Sequence, residues 1–113
     1  MKLVYLSGPY TAHGGRSTEQ HIETARRYAV LVWNAGHAAI VPHLNTAGFE
    51  HLSTATYKQY MAAYLKLVGR CDAILMIDHW EESSGARAEL ERAQTLGLPV
   101  FYAFAGQIPL IGV

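Results

Sequence analysis

The sequence has one cysteine, no long apolar run and no excess charge of either sign, and each shortage removes a class of protein. A lone Cys71 rules out an internal disulfide and suits a reducing compartment, so a cytoplasmic location is expected. No stretch approaches the roughly 20 apolar residues of a membrane-spanning helix, and Met1 to Leu6 is too short an apolar run for a secretory leader. Nine basic and nine acidic residues cancel, which argues against a nucleic-acid polymer, whose partners carry a basic excess. What is plentiful is apolar: half the residues are hydrophobic and only 16% are charged, enough for a real core. At this length the expectation is one domain over residues 1–113.

Short apolar runs alternate with segments of helical period. Leu3 to Leu6 reads as a buried strand that stops at Ser7-Gly8-Pro9, and residues 9–17 read as a loop. Ile22, Ala25, Ala29 and Val32 recur at helical steps within a helix from about Thr18 to Ala35, with Ser17 and Gln20 placed for a capping box. Ala38 to Val41 is a second strand, His43 to Thr56 has no period, and Tyr57 to Gly69 is a second helix. Ala73 to Ile77 is the most apolar strand, a third helix runs from Ser84 to Leu96, and Pro99 to Phe104 is the last strand. Such alternation predicts an α/β, Rossmann-like domain with a parallel sheet of four to five strands flanked by helices. In strand order 2-1-3-4 the ligand site falls at the carboxyl ends of the first and third strands, which selects two loops, 7–17 and 78–84.

The chemistry in those loops centres on Ser83-Ser84-Gly85 and Glu89. A helix start favours an anion, and two hydroxyls add donors, although serine is also an ordinary N-cap. Glu89 lies four residues after Gly85 on the same helix face, at the edge of a stripe of Ala86, Leu90 and Ala93. Burial raises the pKa of such an acid and the helix dipole lowers it. Arg87 and Glu91 form an i,i+4 pair with only a surface role. The first loop supplies Tyr5, Ser7, Gly8, Tyr10, His13, Gly14, Gly15 and Arg16; Gly8 lets a ligand approach the backbone, and Arg16 is suited to anchor a phosphate. Among six histidines no metal-ligand spacing emerges, so neither metal nor cofactor is expected; His43, beyond the second strand, is the one on the functional edge. Trp80 stacks either on a nucleobase or on its own domain, and Cys71 and Asp72 read as structural.

These segments, Tyr5-Leu6-Ser7-Gly8-Pro9-Tyr10, Gly36-His37 with Pro42-His43, and Cys71-Asp72-Ala73-Ile74 leading to Ser83-Ser84-Gly85-Ala86-Arg87-Ala88-Glu89, occur in the order found in the nucleoside 2-deoxyribosyltransferase-like superfamily. The chain resembles that superfamily from about Lys2 to Tyr102, most of all a small branch of bacterial and phage proteins, and more distantly the 2′-deoxynucleoside 5′-phosphate N-hydrolases. The most specific element is Ser83-x-Gly85-x-x-x-Glu89. The resemblance implies that Glu89 attacks the anomeric carbon of a sugar, that Tyr5 sits beside it, and that Ser83 and His43 contact the substrate. It implies homodimers or higher homo-oligomers. One departure stands out. The relatives carry a catalytic aspartate eight residues before the position of Asp72, which is Tyr64 here, and no carboxylate occurs between Tyr57 and Arg70.

Three functions are therefore expected. The first is a nucleoside or nucleoside 5′-monophosphate N-glycosidase or (deoxy)ribosyltransferase, with Glu89 and Tyr5 catalytic. Ser7, Gly8, Tyr10, Arg16, His43, Asp78, Ser83, Ser84 and Gly85 would bind substrate, with Asp78, His43 or Tyr64 as the acid. The second is a nucleotide-binding module without turnover. The third is an assembly subunit, suggested by the apolar stripe Tyr57, Tyr60, Met61 and Tyr64 and the tail Ile108 to Ile111.

Overall fold

Alternation along the first strand decides the layout. In the computed structural model, which describes residues 1–109 and 111, strand β1 (Leu3–Ser7) is the inner strand that joins both halves of the sheet. Side chains on a strand point alternately to opposite faces. Val4 and Leu6 pack with Leu75, Ile77 and the buried face of α1 (Thr18–Asn34), whereas Tyr5 packs with Ile74, Met76 and the buried face of the last helix.

The remaining elements are β2 (Ala38–Ile40), the one-turn helix α2 (Pro42–Asn45), α3 (Tyr57–Val68), β3 (Ala73–Met76), α4 (Ser84–Thr95) and β4 (Val100–Tyr102). The four strands are all parallel in the order β2-β1-β3-β4, as expected. Val4 pairs with Ala73 and Ser7 with Met76, so β1 and β3 end level, and their carboxyl ends open side by side at the switch point.

Helix starts follow the sequence. Ser17 and Gln20 form the expected capping box on α1, and Thr56 and Gln59 form a second one on α3. Between α2 and α3 the chain holds a 3₁₀ turn at Phe49–His51 and otherwise irregular backbone. The described part of the tail is not spare apolar surface. Ile111 is buried and Ile108 packs against the same cluster, while Leu110, also part of the apolar tail, lies outside the described residues. No described helix is long and apolar enough to cross a membrane.

Candidate functional site

Glu89 is placed in the core, not at its edge. On α4 the buried residues are Ala86, Glu89, Leu90 and Ala93, a helical stripe with one carboxylate inside it, and Glu89 is only 6% exposed. A buried carboxylate must be satisfied by donors. Tyr5 and Ser7, two residues apart on β1, face α4 together for that reason. The Tyr5 hydroxyl donates to Glu89 Oε2 at 2.5 Å, and Ser7 donates from Oγ to Oε1 at 2.7 Å. Burial pushes the Glu89 carboxyl above its usual range, and the two hydrogen bonds act against that rise. Burial, followed by the charge of Glu89, pushes the Tyr5 phenol up as well, so Tyr5 remains the donor.

Glu89 forms part of the wall of a cavity of about 600 Å³, within the range of small-molecule sites. The carboxyl end of β1 and its loop contribute Gly8, Pro9 and Tyr10; α2 contributes His43; the start of α4 contributes Ser84 and Gly85. Helix α3 closes the opposite side with Tyr57, Tyr60, Met61 and Tyr64. The aromatic stripe that suggested an assembly surface therefore faces the cavity.

Ser83 is the N-cap of α4 and accepts from the Ala86 N–H at 3.1 Å, which leaves its hydroxyl proton for a ligand. A Cβ on Gly85 would meet Met61 Sδ at 3.4 Å and the Tyr57 hydroxyl at 3.5 Å, so this glycine holds cavity space open. Gly8 has a different reason. A Cβ there would stand 2.5 Å from Ile77 Cγ1, so the core, not a ligand, claims the space above its Cα.

His43 is 4% exposed, and its Nε2 lies 2.9 Å from the Pro9 carbonyl, which requires the proton on Nε2. Nδ1 is buried without a partner, and burial lowers the pKa of the ring. Tyr10 donates to Glu50 at 3.1 Å and accepts from the Gly48 N–H at 3.0 Å, which ties the first loop to the 3₁₀ turn. Glu50 and Thr46 are wall residues that the sequence reading missed. The unpatterned segment 43–56 carries no signal that would have marked them.

Two expected site residues are engaged elsewhere. Arg16 ends a tight hairpin, bridged to His13 across Gly14 and Gly15, and its guanidinium contacts Glu82 at 2.8 Å. His79 reaches the same carboxylate at 3.2 Å. Asp78 accepts from the Tyr28 hydroxyl at 2.8 Å, beside α1. Trp80 packs at 5.8 Å on Tyr102 of its own domain. Arg87 donates to the Glu81 carbonyl at 2.6 Å instead of pairing with Glu91. Cys71 and Asp72 are structural: burial pushes the thiol up to about 11, and Asp72 accepts the Leu3 N–H at 2.8 Å. Among the described residues no three His, Cys, Asp or Glu side chains converge as metal ligands would.

Residues 2–102 match the family described as a domain of unknown function, DUF4406. The chain belongs to this family. A solved structure of a 2-deoxyribosyltransferase from Bacillus psychrosaccharolyticus, described as a biocatalyst for nucleoside synthesis, superimposes with a TM-score of 0.63 at 19% identity, covering 88% of this chain and 70% of that one. At that identity the likeness is one of fold: this DUF4406 chain has the 2-deoxyribosyltransferase-like architecture. No curated protein sequence matches it.

Proposed function

We propose that the protein is a nucleoside or nucleoside 5′-monophosphate N-glycosidase or (deoxy)ribosyltransferase, with Glu89 as nucleophile. The observation that carries this reading is a buried carboxylate on a cavity wall, held by two hydroxyl donors at 2.5 and 2.7 Å. A carboxylate fixed at both oxygens and poorly hydrated is aimed and ready to attack. In the reaction a Glu89 oxygen bonds to the anomeric carbon as the C–N bond breaks. The bonding pair leaves on the base nitrogen, which takes a proton. Water or a second base then displaces Glu89 and restores the carboxylate. Ser83, Ser84 and the start of α4 are suited to hold a 5′-phosphate, because a helix N-terminus favours an anion. His43, Tyr10 and Gly85 surround the remainder of the substrate. The 2-deoxyribosyltransferase fold supports the same substrate class.

The test is incubation with pooled nucleosides and nucleoside monophosphates, followed by mass spectrometry. Released base and a glycosyl adduct on Glu89, both lost in Glu89→Gln, are expected. Wild-type protein as inert as the variant across the pool would overturn the reading.

A second reading, nucleotide binding without turnover, is favoured by one observation. Asp78, a candidate second acid, is bonded to Tyr28. Calorimetry with the same pool separates the two, since tight binding without base release would select the binder. We further propose that the protein works as a homodimer or higher homo-oligomer, because Phe49 and Tyr57 are exposed aromatic side chains on the cavity wall. Light scattering that gives a strict monomer at micromolar concentration would refute this.

A further inference from the structure

If Glu89 attacks a glycosidic carbon, some group must protonate the departing base, and four nearby groups are otherwise engaged. Asp78 is bonded to Tyr28. His43 directs its one N–H to the Pro9 carbonyl and turns a bare lone pair inward. The other wall carboxylates act as acceptors, Glu50 from Tyr10 and Glu82 from Arg16. Tyr64 differs from these in that its partner is another hydroxyl, either of which can donate. It shares the cavity wall with Glu89, stacks on Tyr60 at 6.4 Å, and its hydroxyl meets the Thr46 hydroxyl.

The geometry points to Tyr64 as the proton donor to the leaving base, with Thr46 as a positioning residue that steadies its oxygen. This inference rests on the glycosyl-transfer reading and supplies its second half. As the C–N bond breaks and its electron pair settles on the base nitrogen, Tyr64 gives that nitrogen its hydroxyl proton. Thr46, whose oxygen stands at a long 3.4 Å from the Pro42 carbonyl, turns its O–H toward the new phenolate. The phenolate then takes a proton from the incoming water. The resulting hydroxide oxygen bonds to the anomeric carbon, and the ester C–O bond breaks to return Glu89. The enzyme ends as it began.

The electrostatics act in the same direction. Burial pushes the Tyr64 phenol up, the hydrogen bond with Thr46 acts against that rise, and the neighbouring Tyr60 and, least, the charge of Glu89 add to it, so the resting phenol keeps its proton. That charge disappears when Glu89 becomes an ester. The proton is released more readily at the moment the leaving base needs it.

The experiment pairs guanosine with 7-methylguanosine, and likewise their 2′-deoxy and 5′-monophosphate forms. The methylated base is already cationic and departs neutral without a proton. Tyr64→Phe is expected to slow release of guanine by about 100-fold or more, and of 7-methylguanine by less than about 3-fold. Thr46→Val should give a smaller loss confined to guanine, and it guards against a Tyr64 variant that fails to fold. Equal slowing of both substrates, or slowing of neither, would overturn the role of Tyr64. Wild-type protein that cleaves only the methylated substrates would overturn it alone. Where wild-type protein is inert on every pair but active on another member of the pool, equal turnover of that substrate by Tyr64→Phe would overturn the role of Tyr64; inertness across the whole pool would overturn the glycosyl-transfer reading together with it.

Discussion

The Tyr5 hydroxyl donates to Glu89 Oε2 at 2.5 Å across 84 residues of sequence, and both groups are buried. This bond opposes the burial that raises the Glu89 pKa. In Tyr5→Phe the carboxylate loses one of its two donors, so its pKa moves further up. The acid limb of the activity profile should shift to higher pH. An unsatisfied buried acceptor costs about 1–3 kcal/mol, a loss that urea denaturation at neutral pH would read. An acid limb that stays in place would show that the bond does not tune Glu89.

Glu89 itself should cost stability when charged. Its folded pKa lies above the unfolded value, so between the two the native state binds more protons and stability falls as pH rises. Glu89→Gln removes this penalty while its amide keeps partners in Tyr5 and Ser7. At pH 8 the variant should melt higher than wild type. The gain should shrink as the pH falls toward the ordinary carboxylate range, where both states hold the proton. Thermal melts across that window check the sign, and a gain that grew toward acid would contradict it.

The sheet was legible in the sequence because continuous apolar runs bounded by Gly and Pro leave few alternatives, and the expected doubly wound order 2-1-3-4 is the one observed. Tyr5, Ser7 and Glu89 could each be singled out, and the period-two rule already places Tyr5 and Ser7 on one face. That this face is α4's, and that both hydroxyls meet one carboxylate, depends on packing between residues more than 80 positions apart. Arg16 is hard to read for the opposite reason. Its local context, two glycines and a basic residue, fits a phosphate turn, but Glu82 claims the guanidinium from a distant loop. Glu50 and Thr46 sit in a segment whose shape is set by Tyr10 and Tyr64 rather than by any period of its own.

Gly8→Ala should destabilise the fold without touching the chemistry directly. Its methyl would stand 2.5 Å from Cγ1 of the buried Ile77. Overpacking of this kind costs about 1–3 kcal/mol. The double variant Gly8→Ala with Ile77→Val removes the atom that lies beyond the branch and should recover part of the loss. Denaturant midpoints of the two variants test this, and a single variant as stable as wild type would show that Ile77 moves aside freely.

Arg16→Ala should change stability by less than about 1 kcal/mol, since Arg16 and Glu82 are both partly solvent-exposed and such pairs contribute little. It should also leave any preference for nucleoside monophosphate over nucleoside nearly intact, because the guanidinium is bound to Glu82 at 2.8 Å. A loss of more than about 10-fold in monophosphate affinity, roughly 1.4 kcal/mol, would mean that Arg16 leaves Glu82 for the phosphate.

Gly85→Leu separates the cavity from the fold. A Cβ at this position would make ordinary contacts with Met61 and Tyr57, but the rest of a leucine has to enter the space between α4 and α3. Replacing glycine in the first turn of a helix also gains some helix preference, which offsets part of any crowding. The variant should therefore melt close to wild type while nucleoside binding falls by at least about 30-fold, or about 2 kcal/mol. Calorimetry beside a thermal melt reads both quantities on one sample. Retained binding would place the ligand away from the start of α4, whereas joint loss of binding and fold would make Gly85 a structural residue only.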